Sequence, residues 1–321
     1  MSFRNFGQKV RLELYRDSGL SEKLFIVEGL RIDFLIKIIP GLSQAKFSIY
    51  NLSNKTIKQI SNTKDIYVRL LTGLHDGPMS EPEHTFYVNN ALTTKKVPNA
   101  ITELYCIDSV RKDFSHKQIR ALIKAPTLKR YIQEIVRESG SNIVVDYSSI
   151  PDTLLKYKPR KPIAAWSGSA IDGIRKVCST YGINAFEQGG GIKLTYNPRA
   201  ENQHNSKQND PSKYYKLNTV NMRSNPKIGV ASLEIESIVD FNIKAGTILD
   251  TSELITADGL EGFDTYTLIN DAIKASVSGV PVYEVLSIEH SGSSYTQQWS
   301  TSAMAIKAHG GTTMPTYGWY G

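Results

Sequence analysis

The sequence predicts a β-rich α+β protein in which two strand-dominated segments bracket a small α+β module. Three observations carry this. Apolar and polar residues alternate through most of 1–114, the pattern of strands with one dry and one wet face. Helical spacing followed by a short apolar run occurs twice between 115 and 197, and alternation returns over 216–308. A chain of 321 residues has room for two or three domains, and seventeen tyrosines with many Thr, Ile and Val tilt it toward sheet.

The first segment, 1–114, opens with Val10, Leu12 and Leu14 alternating with Arg11, Glu13 and Tyr15, then turns at Asp17-Ser18-Gly19. Leu24-Phe25-Ile26-Val27 and Leu30-Arg31-Ile32-Asp33-Phe34 flank Glu28-Gly29, which predicts a tight hairpin. Pro40-Gly41 ends the next run. Ala45, Phe47 and Ile49 then alternate with Lys46, Ser48 and Tyr50 until Asn51-Leu52-Ser53. The short polar side chains of Asn51 and Ser53 bond the local backbone, so they favour a corner and a helix start. Ile57 and Ile60, three apart, predict a single helical turn laid under a sheet edge. Further strands are expected at 66–71, 85–89 and 102–107. Short strands at this spacing suggest a barrel or sandwich, and closure would remove sticky edges.

The module at 115–197 changes period. Thr127 caps a helix carrying Leu128, Ile132, Ile135 and Val136 on one face, stopped by Gly140 and followed by a strand at Ile143-Val144-Val145. Ser169 caps a second helix with Ile171, Ile174, Val177 and Cys178, stopped by Gly182. Residues 183–186 and 192–196 then flank Gln188-Gly189-Gly190-Gly191 as a hairpin. A polar stretch at 197–212 marks an exposed linker, 198–215. In the last segment, Ala231, Leu233 and Ile235 oppose Ser232, Glu234 and Glu236, and Tyr283, Val285 and Ile288 lead into Glu289-His290-Ser291-Gly292. The glycine-rich tail, 309–321, makes no core element alone, and Tyr317, Trp319 and Tyr320 are its candidates for docking on a partner.

Catalytic signals are missing from this pattern. Gly189-Gly190-Gly191 lacks both the dinucleotide spacing and a following helix, and there is no Gly-Lys-Ser/Thr loop. The six histidines, His75, His84, His116, His204, His290 and His309, show no i, i+4 pair, and two distant cysteines, Cys106 and Cys178, cannot supply zinc knuckles. Both thiols sit in apolar periodicity and are expected to be buried and reduced. His290 beside Glu289 is read as an exposed corner residue after a strand rather than an acid–base pair. The sequence therefore predicts no catalytic residue, cofactor or metal. The net charge of +7 comes from scattered basic residues, densest at Lys156, Lys158, Arg160 and Lys161, and is assigned to solvated loops rather than to nucleic-acid recognition. The N-terminus has no apolar leader core, and no run of about 18 apolar residues spans a membrane.

The order of parts resembles the baseplate or tail-tip hub proteins of tailed bacteriophages. Ala-x-Phe-x-Ile-x-Asn-Leu at 45–52 resembles that family's strand and corner, followed by a short helix at 56–60 and a strand, Ile66-Tyr67-Val68-Arg69-Leu70-Leu71-Thr72, ending in Gly73. Lys244-Ala245-Gly246-Thr247-Ile248-Leu249-Asp250 is similar to the glycine strand of its second barrel, and 285–292 with Gln298-Trp299-Ser300-Thr301 is similar to its closing hairpin. Leu74 departs from the aromatic usual after the glycine, and the 197–212 loop matches nothing in the pattern.

The resemblance implies two tube-like β-barrel domains around the module and a homotrimer without cofactors. It implies a hub linking a six-fold tail tube to a three-fold central spike and to surrounding baseplate proteins, located in the virion and assembled in the host cytoplasm. Its lumen would pass DNA without specific recognition. Two other readings stand beside it. One is the spike base of a related contractile injection or secretion system. The other is a cell-wall hydrolase or glycan-binding β protein, which needs an acidic pair or aromatic platform.

Overall fold

The structure, a computed structural model, describes residues 8–74, 78–80, 84–96, 98–115, 118–124, 127–140, 143–157, 163–188, 190–196, 212, 214–224, 226–228, 232–251, 282–296 and 299–308. The first segment holds β1 (Gln8–Tyr15), β2 (Lys23–Val27), β3 (Ile32–Ile39), β4 (Leu42–Tyr50), α1 (Asn54–Asn62), β5 (Tyr67–Leu74), β6 (Met79–Ser80), β7 (Thr85–Lys96) and β8 (Asn99–Asp108). The module holds α2 (Ser109–Ser115), β9 (Gln118–Lys124), α3 (Leu128–Glu138), β10 (Val145–Asp146), α4 (Asp152–Leu155), β11 (Ile163–Ser169), α5 (Ala170–Thr180), β12 (Ile183–Gln188) and β13 (Gly191–Tyr196). The last segment holds β14 (Tyr215–Lys216), β15 (Lys227–Ile228), β16 (Ser232–Ile238), β17 (Ile248–Asp250), β18 (Val282–Ser293) and β19 (Ser300–Lys307).

Strands from both ends of the chain form one 14-stranded sheet, ordered β15-β16-β19-β18-β3-β4-β8-β7-β5-β1-β2, with β6, β14 and β17 attached to it. The join is β18 against β3, antiparallel from Ile288 opposite Ile38 to Ser293 opposite Asp33. The two strand-rich segments thus share a continuous ladder, and the pairs among the described residues leave it open at β2 and β15. This join also corrects the expected hairpin at Glu28-Gly29. β2 pairs with β1, while both edges of β3 are taken, by β4 and β18, so β3 has no edge left for β2.

Alternation sets the faces as the sequence predicts. Ile32, Phe34, Ile36 and Ile38 of β3 and Ala45, Phe47 and Ile49 of β4 point into the first core, with Leu12, Leu14, Val68, Leu70 and Phe86. Pro40-Gly41 is a two-residue turn joining Ile39 to Leu42, with Gly41 at φ +79. Asn51 sits at φ +57; its N–H donates to Ala100 O at 2.7 Å and its Oδ1 accepts from Ala100 N at 3.1 Å, tying the end of β4 to β8. Ser53 Oγ then accepts from Thr56 N at 3.1 Å and opens α1. The helix runs nine residues rather than one turn, because no Gly or Pro interrupts it before Thr63 closes on the Gln59 and Ile60 carbonyls. Ile60 is its buried anchor.

The module has its own core of Leu128, Ile132, Ile135, Ile171, Ile174 and Cys178 from α3 and α5, packed on Ile183, Ile192 and Leu194 of a three-stranded sheet ordered β10-β13-β12. Thr127 and Ser169 cap α3 and α5 as expected, accepting from Arg130 N and Asp172 N. The strand predicted at 143–145 shrinks to Val145–Asp146, and Val144 is largely exposed because only its carbonyl, bonded to Ile192 N, reaches the sheet. A third core lies in the last segment, around Leu233, Ile235, Leu249, Val285, Ile288 and Ala305.

Candidate functional site: the buried junction and the sheet face

The module is seated on the large sheet through the β12–β13 hairpin. One face of β12 carries Ile183 and Ala185 into the module core; from the other, Phe186, fully buried, enters the core of the first segment. Beside β13, Gly246 of the last segment approaches so closely that a Cβ there would run into Thr195. Glu284 of β18 is buried facing Thr195 and Lys193; burial pushes its carboxyl up, while Thr195 and Lys193 act against that rise.

An ionic cluster closes the same junction around one backbone carbonyl. Arg175 Nη2 from α5 and Arg111 Nη1 from α2 both donate to Gly41 O in the β3–β4 turn, at 2.5 and 3.1 Å. Arg175 also donates to Glu187 of β12 and lies 3.6 Å from Asp172. Ser43 Oγ of β4 donates to Glu187 O at 2.7 Å. Asp108, at the end of β8, is fully buried; its Oδ1 accepts from Val110 N at 2.9 Å, and its Oδ2 accepts nothing from the described residues. Burial, with the neighbouring Glu187 charge, pushes Asp108 up to about 7 against the pull of the Val110 N–H. Glu187 is likewise raised by burial, opposed by Arg175 and Arg111. Sequence reading missed these residues, although Phe186 beside Ile183 and Ala185 is the pattern of a strand wet on neither face.

His290 corrects its expectation. It lies inside β18 rather than after it and is buried, with Nδ1 2.9 Å from Thr301 Oγ1 and its ring 4.8 Å from that of Phe241. Thr301 Oγ1 already accepts from Asp240 N at 2.8 Å, so its own hydrogen is free to point at Nδ1, which suits a neutral ring. Burial lowers the His290 pKa to about 3, with His84 adding to the effect. A corner position was the wrong inference because the strand runs on through Ser293, three residues past His290. Cys106 and Cys178 are buried free thiols as expected, both raised by burial.

The outward face of β18, β3, β4 and β8 is charge-balanced. Lys37 lies 3.6 Å from Glu289, Lys46 2.6 Å from Glu103, and Arg31 3.0 Å from Asp33. Tyr105 donates to Glu103 at 2.9 Å, with Lys46 over its ring. The arrangement can hold a polar, self-neutralised surface and offers no nucleophile–base pair. Among the described residues, no group of three or more His, Cys, Asp or Glu is placed to hold a metal, and no helix is long and apolar enough to cross a membrane. Tyr317, Trp319 and Tyr320 lie outside the described residues, as do Lys158, Arg160 and Lys161 and the 197–211 loop.

No protein-family profile matches the sequence, and no curated protein matches it significantly. Solved structures do match its fold. The 43 kDa tail protein of prophage MuSo2 from Shewanella oneidensis superposes with a TM-score of 0.56 at 8% identity, over 94% of this chain and 100% of that one. A tail protein from Neisseria meningitidis gives 0.53 at 8% identity, over 94% and 97%. The E. coli c3393 protein, a type VI secretion component described as structurally similar to the T4 tail proteins gp27 and gp5, gives 0.51 at 9% identity, over 89% and 76%. Nearly the whole chain therefore has the fold shared by these phage-type tail proteins and the type VI secretion component.

Proposed function

We propose that this chain is a structural component of a phage tail, the hub that joins the tail tube to the central spike and to surrounding baseplate proteins. The observation that supports this best is the extent of the fold match, 94% of this chain against all of a prophage tail protein. In this reading the chain is not an enzyme. Three copies associate; residues 1–114 and 216–308 form two tube-like β-barrel domains per chain around the 115–197 module, with 198–215 as linker. Three chains so built present six similar domains to a six-fold tube and three to a spike, and DNA passes through the lumen without specific recognition. The particle is assembled in the host cytoplasm and the hub stays in the virion. Tyr317, Trp319 and Tyr320 in the 309–321 tail are the proposed partner contacts.

Native mass measurement of the purified chain and of tail particles tests this. Three copies of the 35.8-kDa chain should appear together, and a monomer that never joins a particle would overturn the reading. The type VI component among the fold neighbours supports a second reading, the spike base of a secretion machine. Co-purification with a secretion sheath rather than a virion distinguishes it.

A further inference from the structure

Eight consecutive strands of the ladder, β15-β16-β19-β18-β3-β4-β8-β7, are each antiparallel to the next. Because the number is even, β15 and β7 run in opposite directions, so a β7 laid beside the β15 of another copy is again antiparallel. Both strands have an edge to offer. β5 pairs with β7 only from Thr85 to Tyr87, Val88 N bonds Ile66 O, and no strand among the described residues flanks the outer edge of 89–96. Asn89 to Lys95 are exposed or half-buried, with Leu92 51% exposed on the outward face opposite Glu103. Sheets normally cover or blunt an edge of this length, and nothing in the chain's own ladder covers this one. β15, only two residues long, ends the path on the other side.

The two ends also differ in charge. β7 runs out on Lys95-Lys96, and Lys95 has no ion pair among the described residues. Beside β15, an open groove on the outward face is lined by Glu234, Glu236, Glu289, Lys37, Lys227 and Met304. Lys37 and Lys227 lie 3.6 and 3.7 Å from Glu289 and Glu234. Glu236 is left without a cation among the described residues, and Met304 is 41% exposed.

We propose that β7 of one copy continues the ladder of a second copy at its β15, with Leu92 in the seam and the Lys95-Lys96 tip drawn to Glu234 and Glu236. Neighbouring strands lie about 4.8 Å apart, so a lysine on β7 and a glutamate on β16, two strands away, meet within the reach of their side chains. The contact uses a different patch on each partner, so copies joined this way close into a ring. It rests on the trimeric reading above and names the edges through which three copies join.

Native mass measurement of the full chain across a concentration series tests the contact. Lys95→Glu with Lys96→Glu, and separately Glu234→Lys with Glu236→Lys, should each raise the concentration of half-association at least about tenfold, because like charges then face each other. The variant carrying all four changes should return toward the wild-type value. Association unmoved by either reversal, or a combined variant no better than the separate ones, overturns this contact and leaves the trimer standing. A two-copy species lost in the lysine variant and untouched in the glutamate variant shows β7 pairing with itself, and overturns it as well. A wild type that stays monomeric alone and in tail particles overturns both the trimer and the contact.

Discussion

Replacing Phe186 with alanine separates a module that merely touches the sheet from one that shares its core. The Phe186 ring is fully buried, and the core it enters is drawn from the first segment, with Ala245 and Trp299 from the last, rather than from the module that carries it. Removing a buried phenylalanine ring costs about 3–5 kcal/mol, through lost transfer energy and the cavity left behind. That is a large part of the roughly 5–15 kcal/mol that holds a domain folded. Urea unfolding followed by fluorescence is the assay, with Trp166→Phe and Trp299→Phe backgrounds, each also carrying Trp319→Phe, separating the reports of the module and of the β18–β19 hairpin. Both reporters should shift to lower urea by an amount equivalent to about 3 kcal/mol or more. A loss below about 1 kcal/mol, or a shift seen by Trp166 alone, would refute the shared core.

Gly41→Ala should lower stability by about 1–2 kcal/mol, seen as a reduced Tm, because a side chain is strained at φ +79 and its Cβ would lie 3.1 Å from Arg175 Nε. An unchanged Tm would show that the turn relaxes freely. Ser53→Ala removes the acceptor for Thr56 N and should cost about 1 kcal/mol, read by thermal unfolding. His290 stays neutral in the fold down to about 3, whereas the unfolded chain takes up a proton near 6.5, so stability should fall as pH drops between these values. His290→Gln should flatten that part of the stability profile relative to the wild type. Deleting 309–321 should abolish assembly in native mass spectra while leaving monomer unfolding unchanged.

Much of the fold was legible because local rules and tertiary packing agree. The alternation in β3 and β4 predicted which side chains are buried, Asn51 and Ser53 marked the corner, and Thr127 and Ser169 marked two helix starts. Those signals act over a few residues, through backbone hydrogen bonds and the period of an apolar face. Where two tertiary neighbours compete for one edge, the local signal fails. Glu28-Gly29 looks like a hairpin turn, yet β3 gives its edges to β4 and to β18, some 250 residues along the chain. His290 looked like a corner because Ser291-Gly292 reads as a turn, and only the partner strand β3 shows that β18 runs on through Ser293.

By itself the sequence determined the alternating faces of β3 and β4, the corner at Asn51 and Ser53 and the starts of α3 and α5, since each is written in short-range spacing. The tertiary structure alone decided that both strand-rich segments share one ladder, that Phe186 crosses from the module into the sheet, and that two arginines converge on the Gly41 carbonyl. These depend on groups brought together across 70 to 260 positions. Single residues carry no record of such a partner until packing supplies it.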